Sequence, residues 1–357
     1  MINNLYDQLE LFKDARRNAF ITAITINSDG RHIAGTYGVN IPREILWALD
    51  IVPINIYSID DSNIKAAEEF LDKKNCSLIK ASYGYAIKDK CPFTHFADII
   101  IGSTMCPNKL SMIKKLEHLK KVLILKENYD VDALALEYRN FASYIEKEFG
   151  TRINETKLAY AIRKTNAINK KVNELLNLYL SKPRIIDCDD LYSIIYGLQF
   201  ILDLDEKYDK LSAITESFEK VISESMENND EIKCILIIGA PLAGLKEKIL
   251  KPVSKMKNTL ILFAPSPCEG ENYKIADEDI DPFRALALKY LTPKSSQELL
   301  DLCVKYNPDA IVEVKLAGCK TLYDKYADFE KPYYCVITEY NDSEINLNQL
   351  NDFINNL

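Results

Sequence analysis

Histidine is scarce in this chain, and dense clusters of basic residues are lacking. Among 357 residues only His32, His95 and His118 can serve as imidazole ligands or bases. The 45 basic residues are outnumbered by 53 acidic ones, which gives a net charge of −8. No Lys/Arg cluster is dense enough for a nucleic-acid surface, so we expect no nucleic-acid partner.

Long hydrophobic runs are also missing. Residues 1–10 form an acidic, amphipathic start without an apolar signal core, and stretches such as 234–241 are too short to span a bilayer. We therefore expect a cytoplasmic protein with no membrane partner. In that reducing compartment nine cysteines indicate metal or redox chemistry, or small buried apolar residues, rather than disulfides.

Apolar runs that alternate with helical patterns predict an α/β fold. Strand-like runs are followed by segments of helical period in both halves of the chain. Strands that are apolar throughout and separated by helices indicate parallel sheets covered on both faces. The sequence therefore predicts two doubly wound domains of the Rossmann or flavodoxin type. The strand-like runs are residues 51–57, 98–102, 121–125, 234–239, 259–264, 310–314 and 334–338.

The middle of the chain has helical period throughout. Gly150 is a typical helix end and Asn154 a typical helix start. We therefore predict four segments, which are an N-terminal helix at 1–19, a first α/β domain at 20–131, a helical segment at 132–230 and a second α/β domain at 231–357.

Three cysteines are placed as metal ligands would be. Cys76, Cys106 and Cys319 each lie at the end of a strand-like run, where we expect the chain to reverse. In open parallel sheets ligands bind beyond the carboxyl ends of the strands, which directs Cys106 and Cys319 towards a cleft. Thiolates anchored there can converge on iron, so we predict an iron–sulfur site; the alternative is that the thiols are merely buried. The remaining cysteines that we interpret as structural are Cys188, Cys234, Cys303 and Cys335.

Several short motifs, taken in order, resemble one known family. They are Gly35-Thr-Tyr-Gly-Val-Asn-Ile-Pro-Arg-Glu-Ile45, Cys76-Ser-Leu-Ile-Lys-Ala-Ser-Tyr-Gly84, Thr104-Met-Cys106 before a charged helix, Ala285-Leu-Ala-Leu-Lys-Tyr-Leu291 and the pair Gly318-Cys319. Together they resemble the 2-hydroxyacyl-CoA dehydratase family, which includes benzoyl-CoA reductase subunits and double-cubane iron–sulfur proteins. The resemblance covers nearly the whole chain.

The resemblance implies a cofactor, a reaction and partners. It places a [4Fe–4S] cluster between two α/β domains on Cys76, Cys106 and Cys319, and leaves the fourth iron to substrate, water, sulfide or a side chain. The implied reaction is low-potential one-electron reduction of a 2-hydroxyacyl-CoA to a ketyl radical, which expels the hydroxyl group. The implied partners are an ATP-hydrolysing iron–sulfur activator protein and, in a homodimer or heterodimer, a homologous subunit. The turn at 239–244 lacks a P-loop pattern, which agrees with a separate ATPase.

Two further cysteines resemble positions of the double-cubane branch. Cys91 and Cys268 lie in stretches similar to those that hold cysteines there, which would imply an [8Fe–9S] cluster. Other positions depart from that branch, since this chain has Gly38 and Ala240 where cysteine is common, and no cysteine at 291–297.

Thr36, Tyr37 and Glu44 are the predicted catalytic residues at the edge of the cluster site. For Glu44 the competing interpretation is structural, because an acidic residue at a helix start is favoured by the helix macrodipole.

Two other functions remain open on the sequence alone. One is a cluster-carrying electron-transfer protein, or a double-cubane reductase of small molecules, without an acyl-CoA substrate. The other is a metal-free two-domain module that binds a small molecule and whose cysteines are only buried apolar residues.

Overall fold

A computed structural model describes most of the chain. The described residues are 2–104, 106–182, 185–225, 232–256, 258–263, 273–291, 295–319, 331–340 and 347–357. Cys268 is the one predicted site residue that lies outside them.

The first sheet has four parallel strands in the order β2-β1-β3-β4. They are β1 (His32–Tyr37), β2 (Ile51–Asn55), β3 (Ile99–Ser103) and β4 (Lys121–Leu125). The three strands β1, β2 and β3 are almost wholly buried because helices cover both faces. The strand order reverses between β1 and β3, so the chain leaves these two neighbouring strands in opposite directions.

The second sheet repeats this arrangement in the order β6-β5-β7-β8, again all parallel. Its strands are β5 (Lys233–Gly239), β6 (Thr259–Phe263), β7 (Ala310–Leu316) and β8 (Tyr333–Thr338). The strand order reverses between β5 and β7. The prediction of two doubly wound parallel sheets with interleaved helices is confirmed.

Helices of widely different length surround the sheets. In chain order they are α1 (Ile2–Lys13), α2 (Ala15–Ser28), α3 (Arg43–Ala48), α4 (Ile64–Ala67), α5 (Ser77–Ile87), α6 (Pro92–Phe96), α7 (Pro107–Lys115), α8 (Val131–Phe149), α9 (Glu155–Ser181), α10 (Cys188–Leu198), α11 (Leu204–Glu224), α12 (Lys251–Ser254), α13 (Pro282–Tyr290), α14 (Ser295–Tyr306) and α15 (Leu347–Asn355).

The helical middle of the chain follows its sequence signals. Gly150 ends α8 in a left-handed conformation with φ +65°, and the Asn154 side chain accepts a hydrogen bond from the Lys157 amide at the start of α9. No helix among the described residues combines the length and the apolar character needed to cross a lipid bilayer.

Helix α13 belongs to the second half of the sequence but packs on the first. Its buried residues Ala285 and Leu286 share a core with α3, α8 and α9. On the connection before it, Asn166 of α9 donates to the Ala276 carbonyl and accepts from its amide, at 2.8 and 2.9 Å. The two halves are therefore interlocked, and the bounds of the four predicted segments stay a prediction.

Two local predictions were wrong. Strand β1, the centre of the first sheet, was not predicted, because His32, Gly35 and Thr36 interrupt its apolar pattern. Cys76 does not end a strand; it is the N-cap residue of α5, with extended backbone at φ −65° and ψ 157°. The apolar residues after it lie on a helix that is buried on nearly all sides.

Candidate functional site: a thiol pair between the two halves

The structure brings Cys76 and Cys319 together. A hydrogen bond from the Cys76 thiol lowers the pKa of Cys319, while burial opposes this shift. Cys76 is buried, whereas Cys319 is exposed as a whole residue. Two of the three predicted ligands, one from each half, are thus in side-chain contact.

A tight turn after β7 positions Cys319. The Cys319 amide donates to the Leu316 carbonyl at 2.9 Å, and Gly318 adopts a left-handed conformation with φ +77°. A Cβ atom on Gly318 would overlap the carbonyl oxygen of Lys74. Only glycine satisfies both the backbone angle and this close approach, so the residue before Cys319 fixes it beside the segment that carries Cys76.

The start of α5 positions Cys76. Its carbonyl accepts the amides of Ile79 and Lys80 at 3.1 Å. The next residue, Ser77, is fully buried and accepts through Oγ the amide of Tyr340, which follows β8, at 3.1 Å. Gly244, after β5, packs against the Ile59 carbonyl. The carboxyl ends of β5, β7 and β8 therefore all face the part of the first half that surrounds Cys76.

Cys106 lies at the start of α7, three residues after β3. Its sulfur accepts the Lys109 amide at 3.5 Å as the helix N-cap, with Pro107 as the first helical residue. Like Cys76, it places sulfur at the N-terminus of a helix, where the macrodipole favours negative charge. It follows a central strand of its sheet at the point where the strand order reverses, as expected.

The described residues do not assemble a complete metal centre. Among them no three or more His, Cys, Asp or Glu side chains form a group that could hold a metal ion. The structure thus pairs Cys76 with Cys319 and leaves Cys106 outside that pair. The donor chemistry fits an iron–sulfur cluster, since such clusters are held by cysteine thiolates; the three-cysteine ligand set stays a prediction.

Cys91 is buried at the N-cap of α6. Its sulfur accepts the Thr94 amide at 3.5 Å. The Tyr37 side chain is close by, since burial first and then the Cys91 thiol raise the pKa of Tyr37. Its predicted companion in a double cubane, Cys268, lies outside the described residues, so this prediction is untested.

The predicted catalytic residues Thr36 and Tyr37 are both fully buried at the end of β1. Thr36 donates through Oγ1 to the Ile54 carbonyl at 3.2 Å. The Tyr37 hydroxyl has no hydrogen-bond partner among the described residues, although its ring packs edge-on against Tyr57. Their role in a reaction stays a prediction.

Glu44 has a structural role that its position in the sequence did not reveal. Its carboxylate accepts from Lys289 Nζ at 2.6 Å and Thr165 Oγ1 at 3.1 Å through Oε1, and from Tyr290 at 3.0 Å through Oε2. Both Glu44 and Lys289 are almost wholly buried. This ion pair joins α3 to α13, and the predicted catalytic role of Glu44 stays untested.

All four cysteines interpreted as structural have environments that disfavour the thiolate. Burial raises the pKa of Cys188, Cys303 and Cys335, and it raises the pKa of Cys234 to about 11. Buried thiols of this kind are inert.

Sequence reasoning missed Lys109 and Ser103. Lys109 is fully buried, and its ammonium donates to Ser103 Oγ at 3.1 Å. The helix that carries Lys109 has the charged composition of an exposed helix, so no sequence signal indicated its burial.

Comparison with known proteins decides the family. The sequence model of the 2-hydroxyglutaryl-CoA dehydratase D-component matches residues 38–351. The chain belongs to this family. It is also 26% identical over 364 residues to the Escherichia coli (strain K12) protein named "Putative dehydratase subunit YjiM", which covers 96% of this chain and 94% of that protein.

Proposed function

We propose that this family member is the iron–sulfur subunit of a 2-hydroxyacyl-CoA dehydratase. It holds a [4Fe–4S] cluster on Cys76, Cys106 and Cys319 and removes water from a 2-hydroxyacyl thioester after one-electron reduction. The observation that carries this proposal is the contact between the thiols of Cys76 and Cys319 from opposite halves of the chain. Ordinary buried cysteines give no reason for a tight turn from one half and a helix N-cap from the other to meet at their sulfur atoms.

The chain's own part in this reaction is to hold and surround the cofactor. A bound cluster supplies single electrons at low potential. Cys76 and Cys106 bring sulfur to the N-termini of α5 and α7, where negative charge is favoured. The Gly318 turn brings the Cys319 sulfur from the other half. A substrate would then bind between the carboxyl ends of the two sheets, which is the usual ligand position in this architecture.

The proposal includes two partners. One is an ATP-hydrolysing iron–sulfur activator that supplies the electron. The other is a homologous subunit, either a second copy or a related chain, which agrees with the family description as a component of a dehydratase.

Reduction and turnover test this function directly. The anaerobically isolated protein is mixed with such an activator, with and without ATP, and cluster reduction is followed by electron paramagnetic resonance. We expect reduction only with ATP, followed by conversion of 2-hydroxyglutaryl-CoA to the enoyl thioester. The Cys319→Ser variant should lose both signals, whereas Cys303→Ser, on α14, should keep them.

The outcomes separate the proposed function from its alternatives. If the cluster is reduced in the presence of ATP but no 2-hydroxyacyl-CoA is converted, the protein is an electron carrier or a small-molecule reductase and not a dehydratase. If the protein contains about eight iron atoms per chain, and this content depends on Cys91 and Cys268, the cluster is a double cubane and not a single cubane. A colourless protein without iron would favour the metal-free binding module.

A further inference from the structure

The thiols of Cys76 and Cys319 can react with each other without a metal. They are in hydrogen-bond contact, and each comes from a different half of the chain. Among the described residues this contact is not part of a group of three or more metal-binding side chains. The structure therefore brings together a pair of sulfur atoms, and the covalent chemistry open to such a pair is disulfide formation.

The backbone around the two cysteines also suits a disulfide. Two cysteines can be bridged without backbone movement only when their side chains face each other and their Cα atoms lie within about 7 Å. The two thiols are in contact, and the backbones meet one residue before each of them, since a Cβ atom on Gly318 would lie 3.3 Å from the carbonyl carbon of Asn75. The bridge would therefore join segments that are already adjacent.

Hydrogen bonds fix both segments. Ser77, the residue after Cys76, accepts through Oγ the amide of Tyr340 from the other half at 3.1 Å. The Cys319 amide donates to the Leu316 carbonyl at 2.9 Å. Because these contacts position both thiols, closing the bridge is an intramolecular step between groups already in place.

Unequal exposure of the two cysteines sets the order of reaction. Cys319 is exposed as a residue, whereas Cys76 is buried. Thiol–disulfide exchange requires access to the attacking sulfur. A small-molecule disulfide from solvent therefore reacts first at Cys319, and Cys76 is the resolving thiol.

We propose that Cys76 and Cys319 of the iron-free protein form a reversible disulfide that blocks loading of the cluster. The Cys319 sulfur bonds to one sulfur of glutathione disulfide, whose S–S bond breaks and releases one glutathione. The Cys76 sulfur then bonds to the Cys319 sulfur and releases the second glutathione. The two cysteines lose two electrons and two protons, and the two glutathione thiols that form take them up. Only the effect on cluster loading rests on the proposed function; the disulfide itself does not.

The disulfide has two consequences for the ligands. It removes two of the three predicted iron ligands, because metals bind the thiolate and not the disulfide. It is also reversible by thiols, unlike the sulfonic acid that an exposed cysteine reaches on strong oxidation. The pair therefore keeps its sulfur atoms in a recoverable form until a reductant returns them.

Intact mass and non-reducing peptide maps test the disulfide. The full chain is freed of iron by anaerobic chelation and incubated with glutathione disulfide. We expect the wild type to lose two hydrogen atoms and to give a crosslinked peptide that contains Cys76 and Cys319. Cys76→Ser should instead retain one glutathione on Cys319, because the resolving thiol is missing, whereas Cys319→Ser should leave Cys76 unmodified.

Two controls separate this pair from general oxidation. Cys106→Ser removes a predicted ligand outside the thiol contact and should form the same crosslink as the wild type. Treatment in concentrated urea should give no preference for the Cys76–Cys319 pair, because the unfolded chain does not hold the two thiols together.

Cluster loading is measured by transfer of a preformed [4Fe–4S] cluster from an iron–sulfur scaffold protein, without added thiol or sulfide. The oxidised wild type should take up no more iron than Cys319→Ser. Prior treatment with dithiothreitol should restore the uptake of the reduced wild type. Equal uptake by the oxidised and reduced wild type would overturn the effect of the disulfide on loading.

Three results would overturn the disulfide itself. They are free thiols at both cysteines of the treated wild type, a stable glutathione on Cys319 without a crosslink, and equal crosslinking in the folded and urea-treated chains. Iron content and acyl-CoA turnover are recorded on the untreated protein, so that failure of the proposed function is seen separately. A Cys76–Cys319 crosslink in a protein isolated without iron would uphold the disulfide while the dehydratase proposal fails.

Discussion

At the scale of residues, the site depends on a few side chains in unlike environments. Cys319 has a lowered thiol pKa because the Cys76 thiol donates to it, whereas burial raises the pKa of Cys234 to about 11. Glu44 and Lys289 neutralise each other out of contact with solvent. Each of these environments leads to a testable prediction.

Alkylation should distinguish Cys319 from the other thiols of the iron-free protein. The thiolate is the reactive form, so a lowered pKa shifts the pH midpoint of its reaction with iodoacetamide below that of an ordinary thiol. Cys234, with its raised pKa, should react only at much higher pH. Peptide mass spectrometry across a pH series measures both midpoints. In Cys76→Ala the Cys319 midpoint should move up; an unchanged midpoint would mean that the thiol pair does not form.

Breaking the buried ion pair should be costly. Glu44→Gln leaves the Lys289 ammonium buried and uncompensated, which should lower the free energy of unfolding by about 3–5 kcal/mol. Thr165→Val removes one hydrogen bond to the same carboxylate and should cost about 1 kcal/mol. Urea denaturation measures both. A Glu44→Gln variant as stable as the wild type, yet inactive, would favour the catalytic interpretation of this residue.

At the scale of elements, the turn between β7 and Cys319 controls how closely the halves approach. Gly318 combines a left-handed φ of +77° with contact against the Lys74 carbonyl. Gly150 has a similar φ of +65° but open space where a Cβ would lie. A side chain at Gly150 would meet backbone strain alone, whereas one at Gly318 would meet both backbone strain and steric overlap.

Alanine at the two glycines should therefore have different effects on iron. Gly150→Ala should lower stability by about 1 kcal/mol through its backbone angle alone and leave iron content unchanged. Gly318→Ala should displace the Cys319 turn from Cys76 and lower iron per chain as well. Thermal unfolding and iron analysis of both variants test this. Full iron in Gly318→Ala would contradict the role of the turn.

Much of the element pattern was predictable from the sequence. Uniformly apolar runs predicted seven of the eight described strands, and the parallel-sheet rule placed Cys106 and Cys319 after central strands. Strand β1 was missed because its glycine, threonine and histidine hide the apolar pattern. Cys76 was assigned to the end of a strand because the residues around it look uniformly apolar. Helix α5, which follows Cys76, is buried on nearly all sides and therefore lacks the polar stripe that identifies a surface helix.

The arrangement of the candidate site was less predictable. Contact between Cys76 and Cys319 depends on how the two sheets dock, which periodicity along the chain does not encode. The burial of Lys109 likewise involves Ser103, at the end of β3, and Gly38, just after the end of β1. Hydrophobic periodicity along the sequence indicates which face of a single helix or strand is buried, but not which side chains of different elements meet.

At the scale of the whole molecule, the two halves meet through backbone contacts around the thiol pair. The Tyr340 amide donates to Ser77 Oγ at 3.1 Å across this interface. A cluster bound by both halves would add its binding free energy to their association. The arrangement of the halves should therefore depend on iron more than either sheet does.

Hydrogen exchange should detect this dependence. Removal of iron by anaerobic chelation should speed exchange of the Tyr340 amide at least about tenfold, since about 1.4 kcal/mol of lost free energy gives that factor. The Asp98 amide, bonded to the Ile33 carbonyl at 2.9 Å within the first half, is the internal control and should not change. Equal exchange of Tyr340 with and without iron would mean that no cluster joins the halves.

The most direct measurement is iron and acid-labile sulfide per chain in anaerobically isolated protein. The wild type should contain about four of each. Each of Cys76→Ser, Cys106→Ser and Cys319→Ser should lose most of both, while Cys303→Ser should match the wild type. Full iron in all three ligand variants, or a wild-type protein without iron, would contradict a cluster held by these cysteines between the two halves of the chain.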